Sequence, residues 1–136
     1  MPASTAVVQN GRAIITSRLI GTATAIPGFV GWGTGTTAVL TTDTALATED
    51  TGGSPAYARV AASSTTQTTT TTTNDTHTVI GTITSNGTKT INEAGLFTVI
   101  SGTGLYVRGV LATGISVALN DSVQFTFNVQ ITSSVV

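Results

Sequence analysis

The chain has no cysteine. Disulfides and thiolate metal sites are therefore excluded, and the redox compartment leaves no mark. Charge is scarce as well: charged residues are 8 % of the chain, against about 25 % in ordinary globular domains. Five Lys and Arg stand against six Asp and Glu. The basic residues do not cluster, so a nucleic-acid partner is not expected, because neutralising phosphates takes grouped Lys and Arg. Aromatics are only 5 %, which leaves little for a stacking platform. No apolar run reaches the roughly 18 residues of a membrane span, so no membrane insertion is expected. The opening MPASTAVVQNGRAII lacks a basic segment followed by a continuous apolar run, so a signal peptide is not expected either.

What is present is threonine, glycine, alanine and valine, a mixture that favours strands and tight turns. The clearest element is VQFTFNVQIT, residues 123–132. Val123, Phe125, Phe127, Val129 and Ile131 alternate without exception with Gln124, Thr126, Asn128, Gln130 and Thr132. That period of two predicts a strand with one dry and one wet face.

Residues 6–20 place Val7, Val8, Gly11, Ile14, Ile15 and Leu19 at helical spacing, with Ser4 or Thr5 as cap and Gly21 as terminator. A strand through residues 12–19 is the rival. Residues 29–32 predict a short buried strand. Residues 41–50 predict a loop or single helical turn, with Asp43 as N-cap and Leu46 against the core. TGGSP, residues 51–55, is a turn cluster.

A strand is expected from Tyr57 into the threonine run that ends at Thr73. β-branched threonine suits a strand, and the proline of a disordered stalk is missing. Asn74-Asp75 would turn this strand into a hairpin with residues 76–84. Ser85-Asn86-Gly87 reads as a second hairpin turn with glycine at positive φ. NEAG, residues 92–95, reads as another turn, followed by a strand over residues 96–100. Ser101–Gly104 turns again, and shorter strands follow to the last one. The sequence thus predicts an all-β chain, an antiparallel two-sheet sandwich or jelly roll of about eight strands with one short N-terminal helix. It would form a single domain over residues 1–136, with 1–8 and 133–136 as flexible or partner-binding arms.

Catalytic groups are thinly supplied. The two glycines of GTGTTA, residues 33–38, suggest a phosphate loop, but no lysine follows and no helix opens there. His77 and Asp75 share a strand face in principle, yet Asp75 belongs more naturally to its turn. Five of the six carboxylates fall in predicted turns, where Asp hydrogen-bonds the backbone. Glu93 is the exception. Flanked by Ala94 and Gly95, it is expected as a structural carboxylate that accepts backbone N–H groups or pairs with Arg59 or Arg108. No catalytic residue, metal ligand or cofactor is assigned. Asn74, Asn86 and Asn120 begin Asn-X-Ser/Thr triplets, each in a predicted turn.

The order of pieces then matters. NGRAII is followed by GWGTGTTA, DTALATE, YARV, the threonine-rich strand, NDT, GTIT, INEAGLF, LYVRGV and NDSVQFTFNVQI. Across residues 10–131 this order resembles small virion structural proteins of tailed double-stranded DNA bacteriophages. The resemblance implies a non-enzymatic, homo-oligomeric virion component assembled in the host bacterial cytoplasm, its partners the major capsid protein or other virion proteins. A capsid decoration, or cement, protein is the first expectation. A tail, neck or fibre-base component is the alternative, and a small carbohydrate-binding module using Trp32, Tyr57 and Tyr106 is the second. Met1, Val7, Val8, Trp32, Val135 and Val136 are the candidate assembly contacts.

Overall fold

The computed structural model describes residues 3–22, 25–50 and 59–133. Among these, eight strands form two antiparallel sheets. The larger runs β1 (Ser4–Val7), β7 (Leu105–Val117), β6 (Lys89–Phe97), β2 (Phe29–Gly33) and β3 (Val60–Ala61). The smaller runs β4 (Ser64–Thr68), β5 (Thr76–Thr84) and β8 (Ser122–Gln130). One helix, α1 (Gln9–Leu19), follows β1. The all-β two-sheet sandwich read from the sequence is the architecture observed.

Strand β8 behaves as its period demands. Phe127 and Val129 are buried, Val123 and Phe125 are half-buried against the core, and Gln124, Thr126 and Asn128 are exposed. Each large apolar side chain taken from water there contributes about 1.5–3 kcal/mol. Phe125 meets Trp32 of the opposite sheet edge-on, with ring centroids 6.3 Å apart. Val30, Val79, Ile83, Leu96 and Val107 fill the space around them. Ile131 falls outside the strand and is exposed, because β5 ends opposite Gln130.

The N-terminus is more ordered than expected. Residues 4–7 do not form an arm: they are β1, paired with Val107–Val110 of β7. The helix therefore starts late. Its N-cap is Val8, with no side-chain cap, so neither Ser4 nor Thr5 plays that part. Gly21 does end it, at φ +76°. Gly21 N–H donates to Arg18 C=O at 3.1 Å and Thr22 N–H to Ser17 C=O at 2.9 Å, the paired bonds of a Schellman motif.

Three stretches differ from expectation. The threonine run is not one long strand: it contributes only β4, and residues 69–73 leave the ladder to wrap the Asp75 carboxylate. Ser85-Asn86-Gly87 is no hairpin, because β5 and β6 lie in different sheets. Ser85, buried, anchors this crossing instead by donating its N–H to Asp121 C=O at 2.7 Å, and Gly87 is not at positive φ. NEAG is no turn either: β6 runs straight through it with a bulge between Ile91 and Glu93, and ends at Phe97. The true hairpin bend lies at residues 98–104, where Gly102 and Gly104 adopt positive φ. Tyr57 and the 51–55 turn cluster lie outside the described residues.

Candidate functional site

The larger sheet is covered on both faces. Ala94, Leu96 and Val107 face the smaller sheet, while Glu93, Phe97 and Arg108 face the loop of residues 34–50. Strand alternation therefore turns Glu93 and Arg108 away from the sandwich core and into a second buried layer. Glu93 is 0 % and Arg108 2 % exposed.

All of the binding capacity of this pair is used. Glu93 Oε1 accepts the N–H of Thr48 at 2.7 Å and of Gly35 at 3.2 Å. Its Oε2 accepts the N–H of Ala47 and Arg108 Nε, each at 3.0 Å, and Arg108 Nη2 lies 2.9 Å away as an ion-pair contact. Arg108 Nη1 donates to Asp43 Oδ2 at 2.7 Å and Ala38 C=O at 3.3 Å, and Nη2 donates to Thr37 C=O at 2.8 Å. Each of the three guanidinium nitrogens thus has an acceptor, through four hydrogen bonds in all. Removing two charges from water costs several kcal/mol apiece, and only such complete bonding offsets it. Asp43 is not the N-cap expected of it: besides Arg108, it accepts Leu40 N–H at 2.9 Å.

Glycines make the approach possible. A Cβ at Gly33 would lie 2.7 Å from Glu93 Oε1, and one at Gly35 would lie 2.8 Å from Ala47 Cβ and closer still to that carboxylate. The glycines of GTGTTA therefore cradle a carboxylate of their own chain. A second pair flanks the first. Arg59 Nε and Nη2 donate to Glu49 at 2.6 and 2.9 Å, and the guanidinium also reaches Val99 and Gly102 carbonyls. Its Cζ lies 3.5 Å above the Phe97 ring centroid, a desolvated cation–π contact. Lys89 pairs with Asp50. With Asp75 and Asp121 holding backbone N–H groups, all six carboxylates bind chain to chain.

The remaining candidates sit elsewhere. Trp32 and Val8, expected as assembly contacts, are core residues at 2 % and 0 % exposure. Val7 is half-buried in the β1–β7 pair. Met1, Val135 and Val136 lie outside the described residues. A sugar-stacking platform is not formed by Trp32 and Tyr106, since both rings are buried. His77 does not meet Asp75: its ring lies 6.1 Å from that of Tyr106, and burial lowers its pKa. Burial raises that of Tyr106. The N–H groups of Thr72 and Thr70 hold the Asp75 carboxyl well below the ordinary carboxylate range, and Gln130 and Thr76 add further bonds. Among the described residues, no group of three or more His, Asp or Glu is placed to hold a metal ion, and no helix is long and apolar enough to cross a membrane.

One surface feature escaped the sequence reading. Strand β8 is a sheet edge. Ser85 N–H bonds Asp121 C=O and Ile131 N–H bonds Asp75 C=O, so odd positions of β8 spend their backbone groups on β5. The backbone groups of Gln124, Thr126 and Asn128 point outward. Beneath that edge lies a cleft of about 390 Å³ lined by Thr5, Val107, Gly109, Leu111, Phe125 and Val129 among others. Edge strands are ordinarily guarded by charge, proline or a bulge. Ser122–Gln130 contains no charged residue and no proline, and its pairing with β5 is unbroken.

No family model, no curated protein and no solved structure matches this chain.

Proposed function

We propose that this chain is a non-enzymatic structural protein of a bacteriophage particle, a decoration protein that sits on the outer face of the head, bridges neighbouring copies of the major capsid protein and stiffens the shell. The observation that carries the proposal is the clasp that Glu93 and Arg108 form on the loop of residues 34–50. GTGT, DTALATE, EAGLF and YVRG, the short pieces whose order gives the resemblance, supply Gly33 and Gly35, Asp43, Ala47 and Thr48, Glu93, and Arg108. Those pieces build a rigid internal tie rather than an exposed chemical centre.

The free edge of β8 supports the same role. An extended segment of a shell protein can add there as a further strand, with its backbone on Gln124, Thr126 and Asn128 and alternate side chains in the cleft below. The uncharged lining suits an uncharged, apolar-alternating segment. Such a contact holds mechanically, through area and main-chain bonds.

Copy number tests the proposal. Quantitative mass spectrometry of purified particles should find the chain in hundreds of copies. A dozen or fewer would move it to the tail, neck or fibre base, and complete absence from particles would refute a virion role. Thr126→Lys, on the exposed edge, should abolish add-back to stripped heads while leaving the isolated fold unchanged.

A further inference from the structure

Two Asn-Gly pairs occur in the chain, Asn10-Gly11 and Asn86-Gly87, and the fold treats them oppositely. Asn10 lies in the first turn of α1, its Nδ2 donating to Leu105 C=O at 2.9 Å. Gly11 is buried under Tyr106, where an added Cβ would collide with the Tyr106 carbonyl. Helical geometry keeps the Gly11 nitrogen away from the Asn10 side-chain carbon. Asn86 is exposed, outside any strand, in the crossing between the two sheets. Around Gly87 the space is open, with nothing within 4 Å of where a Cβ would stand. Among the described residues its N–H is held only by a long 3.4 Å bond to Ser85 Oγ.

A cation sits on the reacting carbonyl. Lys89 Nζ donates to Asn86 Oδ1 at 2.7 Å, and Asp50 anchors the ammonium from its other side. A fixed positive donor at that oxygen stabilises the negative charge that develops when a nucleophile attacks the amide carbon.

We infer that Asn86 is a site of spontaneous deamidation, promoted by the Lys89 ammonium, while Asn10 is protected by the fold. The backbone nitrogen of Gly87 attacks Asn86 Cγ. The N–Cγ bond forms, the Cγ–Nδ2 bond breaks, and Nδ2 leaves as ammonia, taking up the proton that Gly87 nitrogen loses. Water then opens the resulting succinimide at either carbonyl, giving aspartate or isoaspartate. No oxidant or reductant is involved. The product places a new carboxylate beside Lys89, in competition with Asp50. As isoaspartate, it also lengthens the backbone of the segment that joins the two sheets. This chemistry is a property of the isolated chain and does not depend on the virion role proposed above.

The test is ageing of the purified full chain at physiological pH and temperature, followed by peptide mass mapping and isoaspartyl methyltransferase labelling. The Asn86 peptide should gain one mass unit and accept label while the Asn10 peptide does neither. In urea the two sites should react at similar rates, showing that the fold makes the difference. Lys89→Met should slow conversion at Asn86 several-fold. Folded chains in which Asn86 stays as intact as Asn10 would overturn the inference, and an unchanged rate in Lys89→Met would overturn the part given to Lys89. A loss of seventeen mass units that survives mild alkaline hydrolysis, which opens a succinimide but spares a Lys89–Asn86 amide crosslink, would also overturn it, since that product leaves no carboxylate.

Discussion

Arg108 and Glu93 sit on adjacent antiparallel strands, two residues apart in register, with the guanidinium Nε 3.0 Å from the carboxylate Oε2 and both side chains sealed from water. The pair does more than join β6 to β7, because each partner also holds backbone of residues 34–50. It is the seam between the sandwich and its covering loop.

Cutting one side of that seam should be severe. Glu93→Ala leaves the buried guanidinium with Asp43 alone as carboxylate partner, its Nε without an acceptor, and three backbone N–H groups unpaired. A loss of about 3–5 kcal/mol in urea unfolding is expected. Arg108→Lys should recover little, because a lysine lacks the planar fork that reaches Glu93, Asp43 and two carbonyls together.

The glycines divide into those that matter for space and those that do not. Gly33→Ala drives a methyl into Glu93 and the Thr48 backbone and should cost about 1–3 kcal/mol or more. Gly87→Ala meets open space at a φ that alanine accepts, and should be neutral or stabilising by about 0.4–1 kcal/mol. Thermal unfolding of the two variants side by side checks the contrast.

Neighbouring positions on β8 should behave oppositely. Phe127→Ala should cost about 3–5 kcal/mol, since the ring is buried among Val79, Val129 and Tyr106 in the inter-sheet core. Thr126→Ala, one residue away on the wet face, should stay within about 0.5 kcal/mol. Equal losses would mean the strand does not present a dry and a wet face.

Acid should act through Asp75. Its folded pKa is depressed, so its stabilising contribution is fully present above the ordinary carboxylate value and is lost as pH falls through the lower folded value. Melting temperature should therefore decline below about pH 4, the ordinary Asp range. Asp75→Asn should flatten that decline, and the amides of Thr70, Thr71 and Thr72 should lose protection relative to their intrinsic exchange rates in acid.

His77 adds a milder effect in the same direction. Burial lowers its folded pKa, so the unfolded chain takes up the proton first as pH falls below the ordinary histidine value of about 6.5. Stability should drop through that window and then level off once the folded state is protonated too. His77→Gln should remove the step from a plot of melting temperature against pH.

Much of the fold was legible because its signals are local. Strand β8 alternates without exception, and Gly21 ends α1 as its position suggests. What stayed hidden was set by residues far apart in the chain. Ser85-Asn86-Gly87 has the composition of a hairpin turn, and only the bonds between Ser85 and residues 120–121 show that it crosses between sheets. NEAG resembled a turn because Ala94 and Gly95 are small. They are small because Trp32 and Leu96 crowd one face and Leu46 and Phe97 the other. Glu93 reads as a structural carboxylate for the same lack of bulk beside it, with Arg108 a candidate partner, but Gly35, Ala47 and Thr48 carry no local mark of the role. A signal did exist in GTGT, where glycines two apart, one ending β2 and one just beyond it, imply that something large lies against them.

The clasp also bears on how the chain reaches its native state. Asp43 finds Arg108 across 65 residues, and Glu93 finds Thr48 across 45. Neither partner can be secured by local search, so the covering loop should lock last, after the β6–β7 hairpin has closed. A topology so dominated by distant pairings folds slowly for its size. Until the last step Phe97 and Leu46 remain open to self-association. Newly made chains would therefore pass through a sticky interval before the loop closes, and the rate of ripening, more than the final stability, would set how quickly native copies accumulate.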